Sequence, residues 1–253
     1  MAPLRPLVEV CLESVAGCRA AEAAGAGRVE LCSALVEGGL TPSRGLQRQA
    51  RQACSLPVFC MIRPRGGDFL YDEDEYAAML EDVRGARETG MDGVVFGLLQ
   101  ADGRVDRERT ARLAEAARPL EVTFHRAFDV CRDPFEALET LAGIGVERIL
   151  TSGQEAGVEE GLPLLRELLE RARGRLGILP GCGITPENAA RIVAALEPEE
   201  IHLAAGRRRP SPMRFRNPRC RMAAHDPPGE YERVETDAAL LKALARALHG
   251  DPA

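Results

Sequence analysis

A short apolar run followed by a helix-like stretch recurs eight times along these 253 residues, and this repetition constrains the fold more than any other feature. The strand-like runs are Leu7 to Cys11, Arg28 to Cys32, Leu56 to Ile62, Gly93 to Phe96, Glu121 to His125, Arg148 to Thr151, Leu176 to Leu179 and Glu200 to Leu203. Helical stretches follow over Ser14 to Ala24, after Thr41-Pro42, over Asp72 to Thr89, Arg107 to Arg118, after Asp133-Pro134, over Val158 to Arg173, after Thr185-Pro186-Glu187, and from about Thr236 to Leu248. Pro42 and Pro134 suit a first helical turn, where a missing N–H costs nothing. Strand–helix alternation predicts parallel strands, because each return crosses over through a helix. The chain length matches a single (β/α)₈ TIM-type barrel of roughly 250 residues. A doubly wound open sheet is the alternative, weakened because no G-x-G-x-x-G follows the first strand.

One domain over 1–253 is expected, with an irregular Arg/Pro-rich insertion at 206–231 before the last helix. That insertion holds Arg207, Arg208, Arg209, Arg214, Arg216, Arg219, Arg221 and five prolines. It reads as a solvated segment over the barrel rim or a subunit contact. A net charge of −6, no Trp and 4% aromatics argue against a nucleic-acid partner. No apolar run approaches the ~18 residues of a membrane span. The first ten residues lack a secretory apolar core, so a reducing compartment without disulfides is expected.

In a barrel the working site lies at the C-terminal strand ends, and alternate residues point inward. Glu9 and Cys11 share one parity, as do Glu30 and Cys32, Met61 and Arg63, and Thr123 and His125. A buried strand has no need of a carboxylate, so these pairs suggest a polar mouth. Glu9, Glu30 and His125 make a candidate proton donor and acceptor set. Arg63 and Arg126 could hold a substrate anion, with Arg65 reaching it from a loop, and Asp68 and Asp129 orienting the cations. The bland alternative is a buried ion-pair lattice. Gly181 and Gly183, in Gly181-Cys182-Gly183-Ile184-Thr185-Pro186, are candidates for a phosphate loop. The competing reading is a tight β–α turn. His225 and His249 are given no role.

Eight cysteines occur, at 11, 18, 32, 54, 60, 131, 182 and 220, with no C-x-x-C pair. Cys18, Cys54 and Cys131 are assigned to packing, and Cys60 to the helix-facing side of its strand. Cys182 lies in the strand-seven loop, within reach of the mouth.

Several longer stretches carry a resemblance: Glu9-Val10-Cys11, Arg28-Val29-Glu30-Leu31-Cys32, Gly38-Gly39-Leu40-Thr41-Pro42-Ser43, Met61 to Phe69, Thr123-Phe124-His125-Arg126-Ala127-Phe128-Asp129 and Leu150-Thr151-Ser152-Gly153. Together they resemble the CutC family of copper homeostasis proteins, and its animal branch most. The resemblance implies a β/α barrel and a cytoplasmic copper-binding homo-oligomer, with the nucleus a second compartment. It also implies Cu(I) held by Cys11 and Cys32. Thiolates are soft ligands that suit Cu(I). One metal between two of them needs sulfurs roughly 4–5 Å apart, taking ~2.3 Å per metal–sulfur bond. The alternating layers of a barrel work against equal heights for residues on adjacent strands. Two departures stand out. The family's Gly-Gly-Gly-Ile reads Gly181-Cys182-Gly183-Ile184 here, and its Phe-His followed by Ser-Ala-Arg reads Ile201-His202-Leu203-Ala204-Ala205-Gly206-Arg207, with His202 retained. Besides a copper-binding protein, the residues leave open a barrel enzyme acting on a small anionic or phosphorylated metabolite, and a regulatory subunit with a vestigial mouth.

Overall fold

The computed structural model describes residues 5–220 and 229–249. Eight parallel strands form a barrel: β1 (Leu7–Leu12), β2 (Arg28–Leu31), β3 (Val58–Met61), β4 (Gly93–Phe96), β5 (Glu121–Phe124), β6 (Arg148–Thr151), β7 (Gly177–Pro180) and β8 (Glu200–Ala204). They pair in the order β7-β6-β5-β4-β3-β2-β1-β8. A parallel bridge between Gly181 and His202 closes the ring. Closure decides between the two architectures considered from sequence.

Helices α1 (Val15–Ala23), α2 (Arg44–Ala53), α3 (Glu73–Glu88), α4 (Arg107–Ala117), α5 (Pro134–Ile144), α6 (Val158–Ala172), α7 (Ala189–Leu196) and α8 (Ala238–His249) surround the sheet. Their starts are written in side chains that accept the first free amides. Ser14 accepts from Gly17, Ser43 from Leu46, and Asp133 from Phe135 and Glu136, with Pro134 in the first turn. Asp72 and Glu75 form a reciprocal capping box. None of the described helices is long and apolar enough to cross a membrane.

The period of two divides the strands into two cores. Val8, Val10 and Leu12 of β1 join Cys60, Val94 and Phe96 in a large cluster shared with the helices. Cys32, Phe59, Met61 and Val95 form a separate small cluster inside the barrel. Cys60 thus faces the helices and Met61 the lumen, as their parity predicts. Cys18, Cys54 and Cys131 are buried in the helix-facing core.

Three expectations change. Residues 206–231 are not wholly irregular, because Gly206–Pro210 forms β9, paired antiparallel with β10 (Glu232–Thr236). This ribbon delays the last helix to Ala238, and its Asp237 amide bonds back to Ala205 O at 2.7 Å. Pro42 lies outside α2, since Ser43 is the capping residue. Thr185 to Asn188 form a turn rather than helix, with Asn188 Oδ1 accepting from the Thr185 amide at 2.8 Å. Arg221 and His225 lie outside the described residues, as does the side chain of His249.

Candidate metal centre

The barrel interior is charged from its floor upward. Arg28, brought inward by β2, bonds Glu9 of β1 and reaches Glu200 of β8 at 2.6 Å. Arg148 of β6 continues the chain to the other oxygen of Glu200 at 3.1 Å and to Glu121 of β5. Both guanidiniums stand 4.9 Å from the centroid of Phe59, one of the few apolar groups of the lumen. This is the ion-pair lattice considered from sequence, but it lies below the mouth and, apart from Glu9, draws on residues that strand parity had not singled out.

The next layer is set by strand register. β1 pairs Cys11 with Glu30 on one side and with Ala204 on the other, and it pairs Glu9 with His202. Glu9 Oε1 lies 2.7 Å from His202 Nδ1, while its other oxygen takes the Arg28 bond. The imidazole is thereby fixed with Nε2 toward Glu30, 3.9 Å from Oε2. Donor atoms of Cys11, Glu30 and His202 all lie within 4.8 Å of one another. Metal–ligand bonds of ~2.0–2.3 Å can span such a set from one ion. Thiolate and imidazole suit copper or zinc, with the carboxylate as a harder third donor. Glu30 Oε1 is buried and accepts no hydrogen bond among the described residues, which leaves it a spare lone pair. The residues therefore fit a soft or borderline metal ion. A carboxylate on the far nitrogen of a ligating histidine is the usual outer support of such sites.

Protonation follows from burial and neighbours. Burial pushes the Glu9 carboxyl up, but His202 and Arg28 overcome it and hold its pKa down at about 2. Glu30 is pushed up to about 7, chiefly by burial, with the charge of Glu9 adding and His202 opposing. Burial works against a charged His202, yet Glu30, Cys11 and Glu9 around it raise its pKa well above the ordinary value. Both Cys11 and Cys32 are raised, first by burial. Without a metal the cluster is a proton store. Metal binding to such donors displaces protons.

Cys32 sits off this set. Its amide bonds Leu12 O, one step beyond Cys11, so the two cysteines are diagonal rather than opposite. Among the described residues the donor atoms that converge within 4.8 Å are those of Cys11, Glu30 and His202, without Cys32. Cys32 Sγ instead donates to Glu30 Oε2 at 3.5 Å. Cys11 is the partly exposed member; Glu30, Cys32 and His202 are buried. Cys11 opens on a cavity of about 520 Å³ bounded by Glu13, Leu35, Val36, Arg208 and Val234.

The other candidates lie elsewhere. Arg63 is buried over the Phe69 ring and donates to Glu37 O, Gly39 O and Gly67 O, so its end nitrogens are committed to backbone. His125 is buried on the strand-five side, and its Nδ1 accepts from the Ala127 amide at 3.1 Å. His202, not His125, is the histidine placed beside Glu9 and Glu30. Asp129 bonds Arg126, the Thr151 and Ser152 hydroxyls, and the Ser152 and Gln154 amides, which makes it the staple of the loop after β6. Arg65 straps its loop to Glu75 and Asp68. A Cβ on Gly181 would fall 2.6 Å from Leu150 Cδ1 and 3.1 Å from His202 Cβ, so this glycine serves close packing. Gly183 O accepts from Asn188, which also contacts Glu159. With the Thr185 amide taken and an acid beside it, the Gly181–Gly183 segment acts as a β–α turn. His202, Arg28, Arg148 and Glu200 are the residues that reading from sequence missed. The inward parity of Arg28 with Glu30, and of Glu200 with His202, was the available signal.

Comparison with known proteins agrees with this architecture. A profile of the CutC family matches residues 6–207. A CutC family protein of Mesorhizobium japonicum is 50% identical over 242 residues, 96% of this chain and 94% of that one. Mouse and human proteins named copper homeostasis protein cutC homolog are each 48% identical over 238 residues, covering 94% of this chain and 88% and 87% of theirs. A crystal structure of a copper homeostasis protein CutC from Streptococcus agalactiae superposes with a TM-score of 0.75 at 35% identity, covering 78% of this chain and 98% of that one. Phosphoribosylanthranilate isomerase from Thermotoga maritima, at 12% identity and a TM-score of 0.58, shares the fold alone, over 97% of this chain and 99% of its own. The barrel, its interior charges and these matches together show that the chain belongs to the CutC family.

Proposed function

We propose that this protein binds Cu(I) at the barrel mouth as part of copper homeostasis, with Cys11, Glu30 and His202 as the donor set. One observation carries the reading: three side chains from three strands bring ligand atoms within 4.8 Å inside the barrel of a CutC family chain. The names of the mouse and human relatives supply the copper context. Glu9 orients His202, and Arg28 balances the charge of Glu9. Cys32 joins the site as the hydrogen-bond donor that holds Glu30, rather than as the second thiolate of a pair. The copper ion is the cargo, and Cys11 is the donor it meets first from the adjoining cavity. A cytoplasmic location accords with the family reading, while the homo-oligomer and the nucleus as a second compartment rest on the sequence resemblance alone.

The test is Cu(I) affinity by competition with a chromogenic chelator. Cys11→Ser, His202→Gln and Glu30→Gln are each expected to weaken binding at least tenfold, about 1.4 kcal/mol. Cys32→Ser is expected to have a smaller effect. Unchanged affinity in folded Cys11→Ser protein would overturn the assignment.

A further inference from the structure

Across the mouth, three buried polar atoms lack a hydrogen bond of good geometry among the described residues: Arg63 Nε, His125 Nε2 and Tyr71 Oη. Their residues are 6%, 4% and 4% exposed. Buried polar groups are nearly always hydrogen-bonded, and an orphan costs ~1–3 kcal/mol. Three orphans in one neighbourhood therefore call for an explanation.

They share a neighbourhood because they surround one loop. The ring of Phe69 lies 4.9 Å from the His125 ring and 5.1 Å from the Arg63 guanidinium. Tyr71, two residues on, sits beside Arg63. The guanidinium opposes the upward push of burial on the phenol by its charge and by a loose side-chain hydrogen bond, so the two groups are neighbours, yet neither Tyr71 Oη nor Arg63 Nε closes a hydrogen bond of good geometry.

All three atoms can donate. His125 Nδ1 accepts from the Ala127 amide, so the neutral ring carries its hydrogen on Nε2. Burial, then the nearby Arg63 charge, pushes the His125 pKa down to about 3, which keeps the ring neutral. Arg63 Nε–H is always a donor and brings a positive charge. Its two end nitrogens are taken by the carbonyls of Glu37, Gly39 and Gly67, and it makes no ion pair among the described residues. Buried charges are ordinarily paired. A neutral acceptor would satisfy the hydrogen bonds and leave this charge unanswered, whereas an anion satisfies both.

We propose that Arg63 Nε, His125 Nε2 and Tyr71 Oη form a binding site for a small oxyanion, a carboxylate or phosphate group, beneath the Phe69 loop. The three residues are buried, so the ligand would enter with residues 64–70 lifted. That segment contains Gly66-Gly67, with Gly67 at φ 84°, and carries the exposed Leu70. It is held shut by Arg65, whose guanidinium bonds Glu75, Asp68 and Leu70 O. The proposal is independent of copper, because none of its residues belongs to the Cys11–Glu30–His202 set.

Thermal unfolding in sodium formate or inorganic phosphate, each against sodium chloride of equal ionic strength, tests the site. At ten times Kd the bound anion is expected to raise Tm by roughly 3 °C. A rise with formate alone or phosphate alone supports the site and names the group it takes. Tyr71→Phe removes one oxygen and is expected to weaken the anion about tenfold. Arg63→Lys, which keeps the charge but loses the Nε donor, should do the same. Neither anion exceeding chloride would overturn the proposal, as would an undiminished shift in both variants. If the variants fail to fold, the His125 Nε2 proton resonance of the wild-type protein decides. It is expected to move on anion titration, and a resonance unmoved at high anion would overturn the site. Cys11→Ser should retain the full anion shift, which separates this outcome from that of the copper test.

Discussion

Two histidines in one barrel show how neighbours set the chemistry of a residue. His202 stands among Glu9, Glu30 and Cys11 and is driven toward the charged form, whereas His125 faces Arg63 and Phe69 and is held neutral. The second case has a consequence for stability. In the unfolded chain His125 takes a proton near its ordinary value of 6.5, but in the folded protein only near pH 3. Between those values the unfolded state binds the extra proton, so stability is complete above pH 6.5 and falls as the pH drops toward 3. Urea unfolding at pH 7 and pH 4.5 should show this loss, of about 2.5 kcal/mol over that span. His125→Phe is expected to reduce the pH slope by about one proton. An unchanged slope would mean that the ring is charged in the folded state. Strand parity had made the inward direction of Glu9, Cys11, Glu30 and His125 legible in the sequence. It could not say which inward residues meet, because His202 reaches Glu9 across 193 positions of chain.

At the level of elements, register decides what parity cannot. Cys11 and Cys32 end adjacent strands in matching motifs, so they read as a pair. The parallel register sets Cys11 opposite Glu30, so Cys32 lies two residues further along. That offset belongs to the stagger of a closed barrel, a property of all eight strands that no single motif carries. The ribbon of β9 and β10 was illegible for a different reason. Arg207, Arg208 and Arg209 have no apolar alternation, and their pairing is made by backbone bonds with residues 233–235. The turn after β7 gives a third case. Cys182 occupies φ 86°, the left-handed region that suits glycine, while its Sγ donates to Ala156 O at 3.2 Å. The resembled family has glycine there. Cys182→Gly is therefore expected to stabilise the protein by about 1 kcal/mol, since left-handed backbone strains a side chain by roughly 1–2 kcal/mol. Chemical denaturation measures it, and a loss of more than 1 kcal/mol would show that the thiol bond outweighs the strain.

For the whole molecule, the eight strand–helix units foretold the barrel, and closure between β7 and β8 completes it. The helix-facing core is apolar and continuous, so the lumen is free to hold a charged lattice at its floor and a donor cluster above it. The family match ends at residue 207, within β9. The ribbon and α8 follow it, and residues of both β9 and β10 line the cavity at Cys11. The Mesorhizobium japonicum relative aligns over 96% of this chain, so the likeness runs on past that point into the wall at Cys11. The central claim is that copper is held by one thiolate together with imidazole and carboxylate. X-ray absorption of the protein loaded with one Cu(I) tests it most directly. The account predicts one sulfur with nitrogen and oxygen scatterers, and loss of the imidazole signal in His202→Gln. A shell of two sulfurs without light scatterers, unchanged in His202→Gln, would contradict it.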